Sequence, residues 1–265
     1  AVETTKIHSV AGMLGDGGLV TTRPFRAPHH TMSAASLVGG GKIPEPGEIA
    51  LASGGILFLD ELPEFGRSVL EVLRQPLEDK HISIARARYA VDYPSNFTLV
   101  ASMNPCPCGY YNHPTKECSC SPAAVHRYLG RVSGPLMDRI DLHVEVTPVG
   151  REEMSSDAVA ESSASIRERV MRAREVQAKR FQGLGIYTNT MMSSSMLRKF
   201  CPLSPDARRL LDAAMERLQL SARAYDRIIK VARTIADLEG AADIQPLHIS
   251  EAIGYRSLDR ESWGR

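Results

Sequence analysis

The chain has 265 residues, 43% apolar and 24% charged, ordinary values for a globular protein and room for one large domain or two modest ones. A formal net charge of +1 excludes a bulk positive field as the source of nucleic-acid binding, so such a contact must be local or assembled by oligomerisation. No run reaches the roughly 18 apolar residues of a membrane span, and five cysteines, four of them clustered, are not the disulfide framework of a small secreted protein; the expectation is a cytoplasmic protein with no membrane partner.

Residues 1–18 carry no basic head with a long apolar stretch, so they are not read as a signal peptide. They lack an initiator Met and open as if mid-helix, which reads as part of a longer chain. Residues 1–50 show little periodicity and are rich in Gly, Pro and His. Arg23-Pro24-Phe25-Arg26-Ala27-Pro28-His29-His30 reads as a rigid cationic loop. No nearby Cys or acid completes a ligand set for His29 and His30, which favours a polar loop role for the pair. Residues 37–41 and 44–48 are turn-rich, and residues 48–53 suit a helical turn.

The chain is organised around Gly54-Gly55-Ile56-Leu57-Phe58-Leu59-Asp60-Glu61. Four apolar residues bounded by glycines and acids predict a short strand of a parallel sheet, buried on both faces. Ending such a strand on two carboxylates is costly unless its carboxyl end opens on a crevice, where open α/β sheets bind ligands. There Asp60 can hold Mg²⁺ through water and Glu61 can take a proton from an attacking water, the Walker B arrangement of a nucleotide hydrolase. The bland alternative is a core strand followed by an acid-capped turn.

From Pro63 an apolar face through Val69, Leu70, Val72, Leu73 and Leu77 predicts one helix to about Glu78. Residues 82–91 alternate with a period near two and predict a hairpin with a cationic tip at Arg86 to Arg88. Residues 97–103 read as another buried strand, ending at Asn104, and residues 142–146 as a third. If the first two strands are neighbours, the Asn104 amide can orient the water that Glu61 activates. In Met137-Asp138-Arg139-Ile140-Asp141 an arginine stands between acids. It is either a surface ion-pair network or an arginine finger that reaches a phosphoryl group on a neighbouring subunit. A boundary is expected near Pro148-Val149-Gly150, giving an α/β core over 1–150 and a helical lid over 151–265. In the lid, helices are predicted at 160–181, 205–218, 221–238 and 246–255. Arg223, in the first turn of the third, opposes the helix dipole, which a phosphate partner would explain.

Cys106, Cys108, Cys118 and Cys120 are spaced C-x-C, nine residues, C-x-C. Two short pairs of thiolates suit a tetrahedral zinc site that clamps the loop beside Asn104, with His113 able to replace one ligand; reduced thiols or a redox pair are the alternative. Cys201 is isolated and reads as a core residue.

Taken together, Arg23 to His30, Phe58-Leu59-Asp60-Glu61-Leu62-Pro63-Glu64-Phe65, Asn104-Pro105-Cys106-Pro107-Cys108-Gly109 and Ser221-Ala222-Arg223-Ala224-Tyr225-Asp226-Arg227 resemble an AAA+ ATPase of the Mg-chelatase/MCM-type clade. More narrowly, they resemble the ComM-like (YifB-like) "Mg chelatase-like" bacterial proteins. The resemblance implies an AAA+ three-layer parallel-sheet core followed by an all-α lid domain. It makes Asp60 and Glu61 Walker B, Asn104 sensor 1, Arg139 the arginine finger and Arg223 sensor 2, with ATP and Mg²⁺ as cofactors. It implies a homo-hexamer whose insert near 24–50 and hairpin near 81–93 face a central pore and grip single-stranded or branched DNA, Arg86 and Arg88 contacting phosphates. The family is linked to branch migration of recombination intermediates in natural transformation. A metal-insertion or protein-remodelling chaperone of the Mg-chelatase kind would share the hydrolytic residues, and a non-catalytic interaction module is the third reading.

One departure is clear. No G-x-x-x-x-G-K-[ST] phosphate-binding loop occurs in the 265 residues, whereas family members carry it upstream of the matching region. Hydrolysis is therefore expected of the longer parent and not of this region by itself.

Overall fold

A computed structural model describes residues 1–15, 18–41, 43–86, 89–147 and 160–256. They form two compact units, one over Ala1–Ile140 and one beginning at Asp141. The first is mixed α/β and the described part of the second is helical, the architecture expected from the sequence. No described helix is long and apolar enough to cross a membrane.

The first unit opens with helix α1 (Val2–Val10), then strand β1 (Phe25–Arg26), α2 (Ala34–Val38), β2 (Gly39–Gly40), β3 (Glu45–Pro46) and α3 (Glu48–Leu51). Next come β4 (Ile56–Leu59), a 3₁₀ turn (Leu62–Glu64), α4 (Arg67–Glu71) and α5 (Arg74–Asp79). β5 (His81–Arg86), β6 (Tyr89–Pro94), β7 (Thr98–Ala101), α6 (Pro122–Leu129) and α7 (Gly134–Met137) complete it. β1, β4 and β7 form a parallel sheet in that order, with β4 in the middle. Leu57 and Leu59 of β4 are fully buried, whereas Ile56 and Phe58 are half-buried, so burial is complete on one face only.

The β1–β4 pair depends on glycine. The Pro24 carbonyl accepts from the Ile56 N–H at 2.8 Å, and a Cβ on Gly55 would lie 1.9 Å from that same oxygen. Arg23 Nη1 donates to the Gly54 carbonyl at 2.7 Å, and Arg26 grips Glu48 of α3 through Nε at 2.6 Å and Nη2 at 2.7 Å. The charge-assisted fork raises the Arg26 pKa, the Glu48 bond outweighing partial burial.

Three expectations are corrected. The helix expected from Pro63 to Glu78 is broken: a 3₁₀ turn, α4 and α5 replace it. Pro76 is the cause, because inside a continuous helix its ring would clash with the Val72 carbonyl; restarting at Arg74 puts it in a first turn, where no N–H is required. β7 is not buried: Thr98, Val100 and Ala101 are exposed, because among the described residues the strand pairs only with β4 and ends the sheet. Residues 142–147 form no strand. Their alternation has no partner strand among the described residues, and Leu142, Val144 and Val146 face solvent, while the His143 N–H donates to the Tyr255 carbonyl at 2.7 Å.

In the helical unit α8 (Ser163–Arg180), α9 (Ser194–Phe200), α10 (Pro205–Arg217), α11 (Ala222–Glu239) and α12 (Pro246–Gly254) follow. Ser162, Ser193, Ser204 and Ser221 each cap a helix by accepting a backbone N–H of its first turn. Phe181, Leu211, Ile228, Ile229, Ala232 and Ile249 form the core, with Cys201 among them, its thiol pushed up to about 11 by burial.

Candidate active site

β4 and β7 run in parallel register with Leu59 opposite Ala101, so the residues after each strand emerge side by side. Asp60 and Glu61 follow one strand; Ser102, Met103 and Asn104 follow the other. Backbone bonds fasten the two ends together, Ser102 N–H to the Leu59 carbonyl at 3.0 Å and Leu62 N–H to the Ser102 carbonyl at 2.9 Å. Asp60, Glu61 and Asn104 are all exposed at this carboxyl edge of the sheet.

Asp60 is oriented from two directions: its Oδ1 accepts from the Ser102 hydroxyl and, at 3.0 Å, from the Glu61 N–H. A fixed, solvent-facing carboxylate fits a hydrated Mg²⁺, and a neighbouring hydroxyl that aims the ligand is part of such a site. Ser102 is the residue that sequence reading passes over. Its signal was a hydroxyl at a strand end two positions before Asn104.

Glu61 adopts a left-handed backbone, φ 53° and ψ 49°, which is sterically disfavoured for a residue with a Cβ. Its Oε2 lies 3.3 Å from Nδ1 of His30. The His29 and His30 rings stand 4.1 Å apart. His30 therefore belongs to the acidic edge and is more than a polar loop residue.

Behind Asn104 lies the cysteine loop. Cys106 and Cys108 sulfurs are 3.4 Å apart, Cys106 and Cys118 3.7 Å, Cys108 and Cys118 3.6 Å, and all four sulfurs lie within 4.8 Å of one another. These separations exceed a disulfide bond of about 2.05 Å. They match the edge of about 3.8 Å that Zn–S bonds of about 2.3 Å give a tetrahedron. His113 is not in the cluster; its Nδ1 accepts the Thr115 and Lys116 N–H groups at 3.2 and 3.1 Å. The Tyr110 backbone N–H and the neighbouring sulfurs hold the Cys108 thiol down at about 5. Cys118 is pushed up to about 12: the Cys120 backbone bond lowers it, but desolvation and the adjacent sulfurs outweigh that. One thiolate thus discourages the next, and a cation in their midst removes the conflict.

The loop also packs on the strand end. Cys106 forms a small core with Val125, Tyr128 and Leu129 of α6, against which Met103 rests. Gly109, at φ +81°, brings its Cα side to where a Cβ would be 4.0 Å from the Asn104 amide. Arg131, after α6, donates to the Pro63 carbonyl and to Glu64, both at 3.0 Å, tying the turn after Glu61 to the same assembly.

The remaining expected residues stand on other elements. Arg139 follows α7 with its side chain only 9% exposed, bound to Glu78 and donating to the Pro135 carbonyl at 2.7 Å. Arg223 is exposed in the first turn of α11, in the helical unit. Arg86 ends β5, opposite Tyr89 on β6, and Arg88 lies outside the described residues.

Residues 1–154 match the family model described as magnesium chelatase, subunit ChlI, and residues 160–256 match that of the C-terminal part of the same subunit. The chain belongs to the magnesium-chelatase ChlI family. It is similar to competence protein ComM of Haemophilus influenzae, 48% identical over 98% of this chain and 50% of that protein. It is 47% identical to the uncharacterized protein YifB of Escherichia coli, over 90% of this chain and 46% of that protein. An uncharacterized protein of Mycobacterium tuberculosis is 43% identical over 97% of this chain and 51% of its own length. The chain spans about half the length of these relatives. The match bears out the resemblance read from the acidic strand end and the Arg23 to His30 segment: this is a ComM-like AAA+ protein of the Mg-chelatase family.

Proposed function

We propose that this region supplies the acidic and sensing half of an ATP-hydrolysing motor that acts on DNA. The observation that carries the reading is the shared carboxyl edge of β4 and β7, where Asp60 and Glu61 follow one strand and Asn104 follows the other. Asp60 would hold a Mg²⁺ that offsets phosphate charge, Ser102 aiming its carboxylate. Glu61 accepts a proton from the attacking water and Asn104 orients that water. The phosphate-binding loop comes from a further segment, and the open side of β7 suits pairing with an additional parallel strand.

Arg139 serves as the finger toward a neighbouring subunit of a hexamer once its pair with Glu78 opens, and Arg223 senses the γ-phosphate from the helical unit. The Cys106, Cys108, Cys118 and Cys120 cluster holds Zn²⁺, which fixes the loop against which Asn104 rests. Arg86 and Arg88 at the hairpin grip DNA phosphates, giving salt-dependent, sequence-independent binding consistent with branch migration. The name ComM, a competence protein, on a relative at 48% identity favours this over metal insertion.

The test is ATP hydrolysis by the full-length protein and its Glu61→Gln variant, with and without single-stranded and branched DNA. Loss of turnover with ATP still bound supports Glu61 as base. Near-normal turnover removes it from that role. Turnover indifferent to DNA moves the assignment to a chelatase-like remodeller.

A further inference from the structure

Neither the hydrolytic chemistry nor the hairpin makes use of the tip of the cysteine loop, yet that tip is tightly built. Residues 109–117 leave from Cys108 and return to Cys118, whose sulfurs are 3.6 Å apart, so both ends of the excursion are pinned together. Between them the His113 N–H donates to the Tyr110 carbonyl at 3.1 Å, across a turn in which Asn112 takes a left-handed backbone, φ 58°. His113 Nδ1 accepts the Thr115 and Lys116 N–H groups, which leaves the ring proton on Nε2.

This turn displays aromatic rings to solvent: Tyr110 is 38% exposed and Tyr111 43%. Tyr110 is braced by its neighbours. The Lys116 ammonium lies 4.8 Å from its ring centroid and 3.5 Å from its hydroxyl, and the His113 ring meets it edge-on at 5.6 Å. Tyr111 makes no ring contact among the described residues. The exposed residues beside the rings, Asn112, Thr115 and Lys116, are polar, so the rings lack the apolar surround found at the core of a protein interface. Glu117, the one acid of the loop, adjoins Cys118 at its base.

A flat ring, an ammonium and an imidazole N–H on one stiff turn match the chemistry of an unpaired nucleotide, whose base stacks and whose phosphate accepts. Every base has a π face, so the contact is sequence-tolerant, and a rigid platform avoids the ordering cost of binding. We propose that Tyr111, flanked by Lys116, is a stacking platform for the bases of single-stranded DNA, a second contact beside the hairpin. The proposal deepens the DNA reading and rests on it. Gly109 brings the same loop to where a Cβ would be 4.0 Å from the Asn104 amide, so the platform is joined directly to the group that orients the attacking water.

The experiment is a fluorescence-anisotropy titration of the full-length protein against labelled oligo-dT and against an abasic strand of equal length, over a range of salt. Tyr111→Ala is expected to weaken oligo-dT binding about five- to a hundredfold, the scale of one lost base stack, with the salt slope and the thermal midpoint unchanged. Tyr111→Trp should bind as wild type does, whereas Tyr111→Leu, apolar but not flat, should fall with Tyr111→Ala. Lys116→Ala should reduce the salt slope by about one. The abasic strand, which keeps the phosphates, should bind wild type and Tyr111→Ala alike. Unchanged oligo-dT affinity in Tyr111→Ala, or Tyr111→Leu equal to wild type, overturns the proposal. So does a Tyr111→Ala variant altered only in subunit assembly, which makes the tip a protein contact. Binding lost in Arg86→Ala/Arg88→Ala but kept in Tyr111→Ala sinks the platform alone. A wild type that binds neither strand removes the DNA reading and the proposal together.

Discussion

Cys108 and Cys118 sulfurs lie 3.6 Å apart, yet one thiol is held at about 5 and the other at about 12. Four sulfurs within 4.8 Å of one another, too far apart for a disulfide, suit one shared cation, and that geometry argues for a metal more directly than sequence spacing does. The full-length protein purified without added metal is expected to carry about one zinc per chain, and Cys118→Ser to lose it. The same variant should lower the thermal midpoint of the α/β unit, since Cys106 also anchors α6 through Val125 and Tyr128. Zinc content near zero in the wild type, by elemental analysis, would overturn the assignment. At this scale the acids, Asn104 and the cysteines were legible, because each is a chemistry-bearing residue at the end of an apolar run or in a tight pair. Ser102 and His30 were not. Their partners, Asp60 and Glu61, are 42 and 31 residues away in the chain, and no local pattern encodes that contact.

Among the elements, β4, the hairpin of β5 and β6, and four of the lid helices could be read from periodicity. The failures share a cause, namely partners. Residues 142–147 alternate like a strand but meet no strand among the described residues, and β7 has the apolar content of a central strand at the edge of its sheet. Two predictions belong here. Gly55→Ala pushes a Cβ onto the Pro24 carbonyl and should cost on the order of 1–3 kcal/mol in urea unfolding; an unchanged midpoint would contradict the close approach of β1 to β4. In the helical unit, the fully buried Asp237 carboxylate accepts from Arg180 at 2.7 Å, Asn189 at 2.9 Å and Arg233 at 3.1 Å. Desolvation alone would raise its pKa, but the bonds from Arg180 and Asn189 prevail and lower it. A carboxyl whose folded pKa is depressed contributes stability that is present above its unfolded value near 4 and is lost as pH falls through the lower folded value. The helical signal should therefore melt more easily below about pH 4, and Asp237→Asn should flatten that dependence while costing about 3–5 kcal/mol at neutral pH. An acid-independent wild type would contradict the network's role.

For the whole molecule, the sequence's near-neutral charge is the feature that most constrains the DNA reading. A chain at +1 offers no general field for phosphates, so the proposed DNA contact would have to be concentrated where several copies bring the same few arginines together. The hairpin is the element suited to this: β5 and β6 pair through six residues each, with Arg86 opposite Tyr89. The order of α/β unit and helical unit was legible from the loss of strand signals after residue 150. The role proposed for Arg139 would be realised only in an assembly of several chains, a scale that one sequence does not display.

The most direct measurement compares DNA-stimulated ATP hydrolysis by the full-length wild type with that of an Arg86→Ala/Arg88→Ala variant, over a range of salt. A DNA-driven motor requires stimulation that falls with salt and is lost in the variant while its basal rate persists. Stimulation that survives in the variant, or hydrolysis that ignores DNA altogether, would contradict it.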